Sequence, residues 1–212
     1  MFLRFNIWNS LPTTFFAATV VMMLSSGHSL SAQQLNASDG GAAGDQFGFS
    51  VSLSGNTGLI GVREDDDNGT NSGSVYIFRN LDTATGTVNE SAILLPSVGE
   101  AGDEFGISVS LSGNTGLIGA HRDRDDNNGS SIGSAYIFRN VDTATGTVNE
   151  SVKLLASDGA SAYQFGFSVS LSGNTGLVSA ISGNDNGIHS GSAYIFRNLD
   201  TCLLYTSPSP RD

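Results

Sequence analysis

The sequence predicts an all-β fold, a β-propeller, on three observations. A unit recurs three times, opening on Phe47-Gly48, Phe105-Gly106 and Phe165-Gly166, which lie 58 and 60 residues apart. Each unit carries short runs of period-two alternation, the mark of strands. A further run, Val75-Tyr76-Ile77-Phe78, does not alternate and is apolar on both faces. A sheet that is greasy on both sides escapes water only when copies of it stack alongside. A long-period repeat made of strands points to a propeller before other folds. The repeats occupy 33–201, as about three four-stranded blades near 35–97, 98–157 and 158–201.

Residues 1–32 stand outside that pattern and read as a secretory signal peptide. Arg4 supplies a positive start, Leu11 to Leu24 is uncharged and apolar apart from three threonines, and small residues lead to Ala32 before Gln33. The run is short for a membrane span and has a small-residue exit. An uncleaved N-terminal anchor is the competing reading.

The first strand is expected at Phe47–Leu53, where Phe47, Phe49, Val51 and Leu53 alternate with Gly48, Ser50 and Ser52. Its polar face holds only glycine and serine, so a neighbouring sheet can approach closely. Ser54-Gly55-Asn56-Thr57 makes a hairpin turn, because Gly and Asn tolerate positive φ. The second strand follows at Gly58–Val62, the third at Ser74–Phe78, and the fourth at Ala92–Leu95, matched by Val152–Leu155. The connection from Asp82 to Asn89 reads as a long hairpin loop. Leu35-Asn36-Ala37-Ser38-Asp39-Gly40 matches Leu155-Ala156-Ser157-Asp158-Gly159, so the repeat region is expected to open on a strand that completes another blade. The stretch 202–212 breaks the repeat in mid-unit and resembles a translated sequencing-library adapter, so it reads as a non-native scar. It holds the chain's one cysteine, Cys202, which leaves no disulfide framework in the repeats.

The bulk numbers fit this picture. There are 27 glycines but only 4 prolines, which suits many tight turns rather than a Pro/Gly-rich disordered chain. The net charge of −11 repels phosphate backbones and anionic bilayers, so neither nucleic acid nor stable membrane insertion after signal cleavage is expected. Cations or cationic partners suit such a surface better. The plainer reading is that the charge only keeps an exported protein soluble.

The repeated text resembles the FG-GAP repeat family, found in integrin α-subunit propellers and many secreted bacterial proteins. FGFSVSLSGNTGLIGV, FGISVSLSGNTGLIGA and FGFSVSLSGNTGLVSA carry the Phe-Gly element. Gly61-Val62-Arg63, Gly119-Ala120-His121 and Ser179-Ala180-Ile181 stand where the family has Gly-Ala-Pro. The resemblance covers 35–200. It implies a seven-bladed propeller used in extracellular recognition, often with calcium in its loops. Seven units of this size need roughly 410 residues, so a fragment of such a ring is expected. The family's carboxylate-rich loop falls between the two elements, where this chain has Leu53-Ser-Gly-Asn-Thr-Gly58 and its copies, with no carboxylate. A hard cation takes about six to eight oxygens, several of them charged, so calcium of that type is not expected there.

Another acidic loop joins strands two and three. In blade one it contains Glu64, Asp65, Asp66, Asp67, Asn68 and Gly69. Glu64, Asp66, Asp67 and Asn68 are the candidate Ca2+ ligands, because acids and amides at alternating positions before a glycine loosely follow a calcium loop. The set decays along the chain. Blade two has Asp123-Arg124-Asp125-Asp126-Asn127-Asn128-Gly129, and blade three Ser182-Gly183-Asn184-Asp185-Asn186-Gly187. The alternative is a solvated turn whose Asp and Asn cap their own backbone. Asp45, Asp103 and Glu104, just before Phe-Gly, are read as turn residues. His121 and His189 sit at non-equivalent places with no nucleophile pattern around them, so no catalytic residue is assigned. The expected function is a secreted, extracellular or periplasmic, non-catalytic module that recognises a protein or carbohydrate. Two rivals stay open: the propeller part of a larger secreted enzyme, and a calcium-stiffened structural surface protein.

Overall fold

The computed structural model describes residues 33–38, 43–124, 131–158, 162–183, 187 and 190–199. Twelve strands and no helix occur among them. Blade one contains β1 (Ser50–Ser54), β2 (Thr57–Val62), β3 (Ser74–Phe78) and β4 (Ala92–Leu94). Blade two contains β5 (Ser108–Ser112), β6 (Thr115–Ala120), β7 (Ser134–Phe138), then β8 (Gly146–Val148) and β9 (Val152–Leu154). Blade three contains β10 (Phe165–Ser172), β11 (Thr175–Ala180) and β12 (Ser192–Arg197). The strands pair antiparallel in the orders β1-β2-β3-β4, β5-β6-β7-β9 and β10-β11-β12, and the three sheets stack in chain order. This is a propeller-like all-β fragment.

The third strand lies as the sequence predicts. The first starts later than expected in blades one and two, at Ser50 and Ser108 instead of Phe47 and Phe105. The Phe-Gly pair is a turn entering the strand: Gly48, Gly106 and Gly166 have φ of 89°, 85° and 89°, and the preceding Gln46, Glu104 and Gln164 are left-handed too. In blade three the strand reaches back to Phe165, but only through a register irregularity between Phe165 and Val169.

The connection from Asp82 to Asn89, and its copy in blade two, is also more than a loop. β8 joins the sheet of blade one, running parallel to β4 with Leu94 opposite Val148. A few residues later the same backbone becomes β9 and pairs with β7 of blade two. Each outer strand is therefore stitched to two sheets. Leu35 repeats the arrangement one blade earlier. It bridges Val88 in parallel, Asn36 N–H donates to Val88 O at 3.4 Å, and Ser38 N–H donates to Glu90 at 2.9 Å. In the copy, Leu95 N–H donates to Val148 O at 3.1 Å and Ser97 N–H to Glu150 at 2.7 Å. Leu35–Ser38 thus takes the place of an outer strand preceding blade one.

Sheet stacking buries alternate residues on opposite sides. Leu59, Val75 and Ile77 of blade one pack with Val109, Leu111 and Phe138 of blade two. Leu117, Ala135 and Ile137 of blade two pack with Leu171, Val178 and Phe196 of blade three. Burying one such side chain stabilises the fold by about 1.5–3 kcal/mol. The rings of Phe105 and Phe165 each meet a tyrosine and a phenylalanine of their own blade's third strand edge to face.

The serines of strand one bond across the blade interface rather than merely leaving room. Ser50 Oγ donates to Gly106 O at 2.7 Å, and Ser52 and Ser54 accept from the N–H groups of Leu111 and Gly113 at 2.9 and 3.0 Å. Ser108, Ser110 and Ser112 repeat this toward Gly166, Leu171 and Gly173. Arg79 closes the far end of the same interface, donating to Val141 O at 2.7 Å, and Arg139 does so to Leu199 O at 2.7 Å. The approach is close enough to exclude a side chain. A Cβ on Gly61 would lie 2.2 Å from Gly106 O, and one on Gly119 would lie 1.9 Å from Gly166 O. Blade three has Ser179 at this position, and its Oγ accepts from Ser168 N–H at 3.0 Å.

Candidate functional site

Antiparallel order brings the start of strand one, the end of strand two, the start of strand three and the end of strand four to the same end of each blade. The acidic loops and the segments entering each Phe-Gly turn therefore share one face of the stack. They also touch across blades. Gly102 N–H donates to Thr70 O at 2.9 Å, Glu104 N–H to Asn71 O at 3.2 Å and Phe105 N–H to Ser72 O at 2.9 Å.

The four candidate calcium ligands do not converge. Glu64 pairs with Arg63 at 2.7 Å. Asp66 Oδ1 accepts from Asn71 N–H at 2.7 Å within its own loop. Asn68 turns away and donates to Pro96 O at 3.2 Å. Asp67 is exposed, and its N–H donates to Asp65 Oδ1 at 2.9 Å. Among the described residues, no group of three His, Cys, Asp or Glu side chains is placed to hold a metal ion. The arrangement fits the self-capping turn better than a calcium cage, and the four residues as placed do not fit the cation. Most of the corresponding loops of blades two and three (125–130, 184–186) lies outside the described residues.

Asp65, which the spacing pattern passes over, is the buried centre of the loop. Its Oδ2 accepts from Ser74 Oγ at 2.5 Å and from Tyr76 OH at 2.9 Å. Asp123 takes the same role in blade two, accepting from Tyr136 OH and pairing with Lys153 Nζ at 3.0 Å. Burial pushes the Tyr136 hydroxyl far above its usual range, and the Asp123 carboxylate beside it adds to that, so the phenol stays a donor. Blade three has Gly183 in place of the acid, and Tyr194 OH donates instead to Asp158 at 2.8 Å. The signal for these pairs was present in the sequence as an acid soon after strand two, matched by a tyrosine inside strand three.

A second polar group sits between blades one and two. Glu104 is buried and pairs with Arg63 at 3.2 Å and Arg122 at 2.5 Å, with His121 Nδ1 3.9 Å away. Burial lowers the His121 pKa, against the pull of Glu104, which favours the neutral ring. Next to Glu104, Asp103 Oδ2 accepts from Glu100 N–H at 2.7 Å, while Oδ1 is buried without a partner. Burial pushes the Asp103 carboxyl up to about 6. Both acids serve the turn into Phe-Gly, in keeping with their reading from sequence, and Glu104 also ties the two blades together.

Repeat spacing, the Phe-Gly turns and the blade stack point one way, and comparison with known families agrees. A model of the FG-GAP repeat matches residues 31–78, 88–138 and 148–196. The chain belongs to the FG-GAP repeat family. No curated protein matches it. The FG-GAP units differ from one another mostly at the acidic end. Ser54-Gly55-Asn56-Thr57 is repeated unchanged at the opposite end of all three units, and Asp82–Ser91 is identical to Asp142–Ser151. The strand-two-to-three loops share little beyond Asp, Asn and Gly.

Proposed function

We propose that this FG-GAP chain is a secreted, non-catalytic recognition module whose ligand surface is the divergent, acidic end of its blades. The carrying observation is the split between the ends: turns at one end are copied unchanged, while loops at the other differ in every unit. Loops held on a rigid scaffold are where binding specificity usually sits. Asp66, Asp67 and Glu100 are exposed there, so a protein ligand with a basic surface suits this end best. The buried carboxylates support a structural role, since Asp65, Glu104 and Asp123 each hold partners of the fold itself. The test is an array of basic and neutral extracellular proteins and glycans, probed with the chain at low and high salt. Salt-sensitive binding that Asp66→Asn with Asp67→Asn weakens, and Asp82→Asn at the opposite end leaves intact, supports the reading. Binding indifferent to the acidic end would refute it.

A further inference from the structure

Each loop between strands two and three carries an asparagine followed by glycine: Asn68-Gly69, Asn128-Gly129 and Asn186-Gly187. Among the described residues Asn68 is the one asparagine so placed. The turn calls for the glycine, whose φ of 127° is a conformation that residues with a side chain rarely adopt. The same missing side chain leaves the Gly69 nitrogen unshielded beside the Asn68 amide. Asn68 is exposed, so water and hydroxide reach it.

The loop's own bonds restrain this pair. Asn68 Nδ2 donates to Pro96 O at 3.2 Å and lies against Gly99, where an added Cβ would stand 2.5 Å from that nitrogen. Asn68 N–H donates to Ser72 Oγ at 3.2 Å and Gly69 N–H to Asp66 O at 3.1 Å, while Asp66 Oδ1 accepts from Asn71 N–H at 2.7 Å. The folded turn therefore ties the amide to Pro96 and occupies the Gly69 proton.

We propose that Asn68 is a self-modifying site: without an enzyme it becomes aspartate and isoaspartate, at a rate set by opening of the loop, and the change unfastens the loop from the segment after β4. Hydroxide removes the Gly69 amide proton, and the freed nitrogen attacks Asn68 Cγ. The new C–N bond closes a five-membered imide, the Cγ–Nδ2 bond breaks, and Nδ2 takes a proton from water and leaves as ammonia. Water then opens the ring at Cγ to give aspartate, or at the Asn68 backbone carbonyl to give isoaspartate. The sum is one water in and one ammonia out, with no oxidation or reduction. A carboxylate at this place cannot donate to Pro96 O and repels it, and it adds a negative charge beside Asp66 and Asp67. This inference stands whether or not a ligand binds the acidic end.

The test is incubation of the full chain for weeks in mildly alkaline buffer, with Asn68, aspartate and isoaspartate quantified by mass spectrometry of the digest. A free peptide of residues 64–73 gives the unrestrained rate. Asn68 should convert to both products several-fold more slowly in the folded chain than in the peptide, because only the opened loop reacts. Asp66→Ala, which removes the cap on Asn71 N–H, should speed the folded chain several-fold. Asn68→Asp, which fixes one product, should show faster hydrogen exchange than the parent in 64–73 and 96–99. Asn68 intact in the chain while the peptide converts overturns the site. Equal rates in chain and peptide, or no change with Asp66→Ala, overturn control by the loop's bonds. Unaltered exchange in Asn68→Asp overturns the unfastening.

Discussion

Gly48 and Gly106 share a backbone conformation, with φ of 89° and 85°, but not an environment. A Cβ on Gly106 would stand 2.6 Å from Ser74 O, while one on Gly48 meets nothing. Forcing an L-residue to positive φ costs on the order of 1–2 kcal/mol by itself. Gly48→Ala should therefore lose about that much in urea unfolding, and Gly106→Ala at least twice as much. Equal losses would mean the interblade approach carries no weight. Asp103 gives a residue-scale pH effect. Its folded-state pKa of about 6 lies above the ordinary 3.8, so the folded chain holds that proton more tightly. The resulting stabilisation is complete below about 3.8 and lost as pH rises through about 6. Asp103→Asn keeps an acceptor for Glu100 N–H and removes the charge. Its melting temperature should gain on the parent as pH rises across that window, and a constant difference across it would show that burial of Asp103 costs nothing.

At the scale of the element, the loop from Glu64 to Gly73 holds itself together through Asp65 and Asp66, while Asn68 ties it to Pro96. Asp65→Ala leaves the buried Ser74 and Tyr76 hydroxyls without their acceptor and should cost about 2–3 kcal/mol. Asp66→Ala, in the exposed part of the loop, should cost under about 1 kcal/mol. Millimolar calcium should leave the melting temperature unchanged, because the loop's acids are already turned to separate partners; a rise of several degrees would show them regrouping around the cation. Much of this architecture was legible in the sequence. The run apolar on both faces located the third strand of blade one, Ser74–Phe78, to the residue, and identical turns located the hairpins. The start of strand one was not legible, because Phe47-Gly48-Phe49 alternates like a strand while Gly48 turns to positive φ, a backbone bend that alternation does not report. The split of the outer strand between β8 and β9 was hidden for a similar reason, since parallel pairing between blades leaves no local mark. The acidic loop was visible, but alternation singled out Glu64, Asp66, Asp67 and Asn68, while burial singled out Asp65. Linear spacing does not report which carboxylate faces inward.

For the molecule as a whole, stability grows with the number of neighbours each blade has. Blade two is covered on both sides, and Leu117, Ile118 and Ile137 are fully buried. Hydrogen exchange should be slowest in β6 and β7 and much faster in β10, whose Ser168 and Ser170 are exposed, and in β12. Uniform protection across the three blades would instead indicate a single all-or-none unit.

The backbone from Gly146 to Leu154, shared between two sheets, has a consequence for damage tolerance. A protease cut between Val148 and Val152 would leave the upstream piece zipped to β4 and the downstream piece zipped to β7. The severed protein would keep its mass in a native gel and come apart only in detergent. A covalent break at the rim is thus bridged by pairing on either side of it.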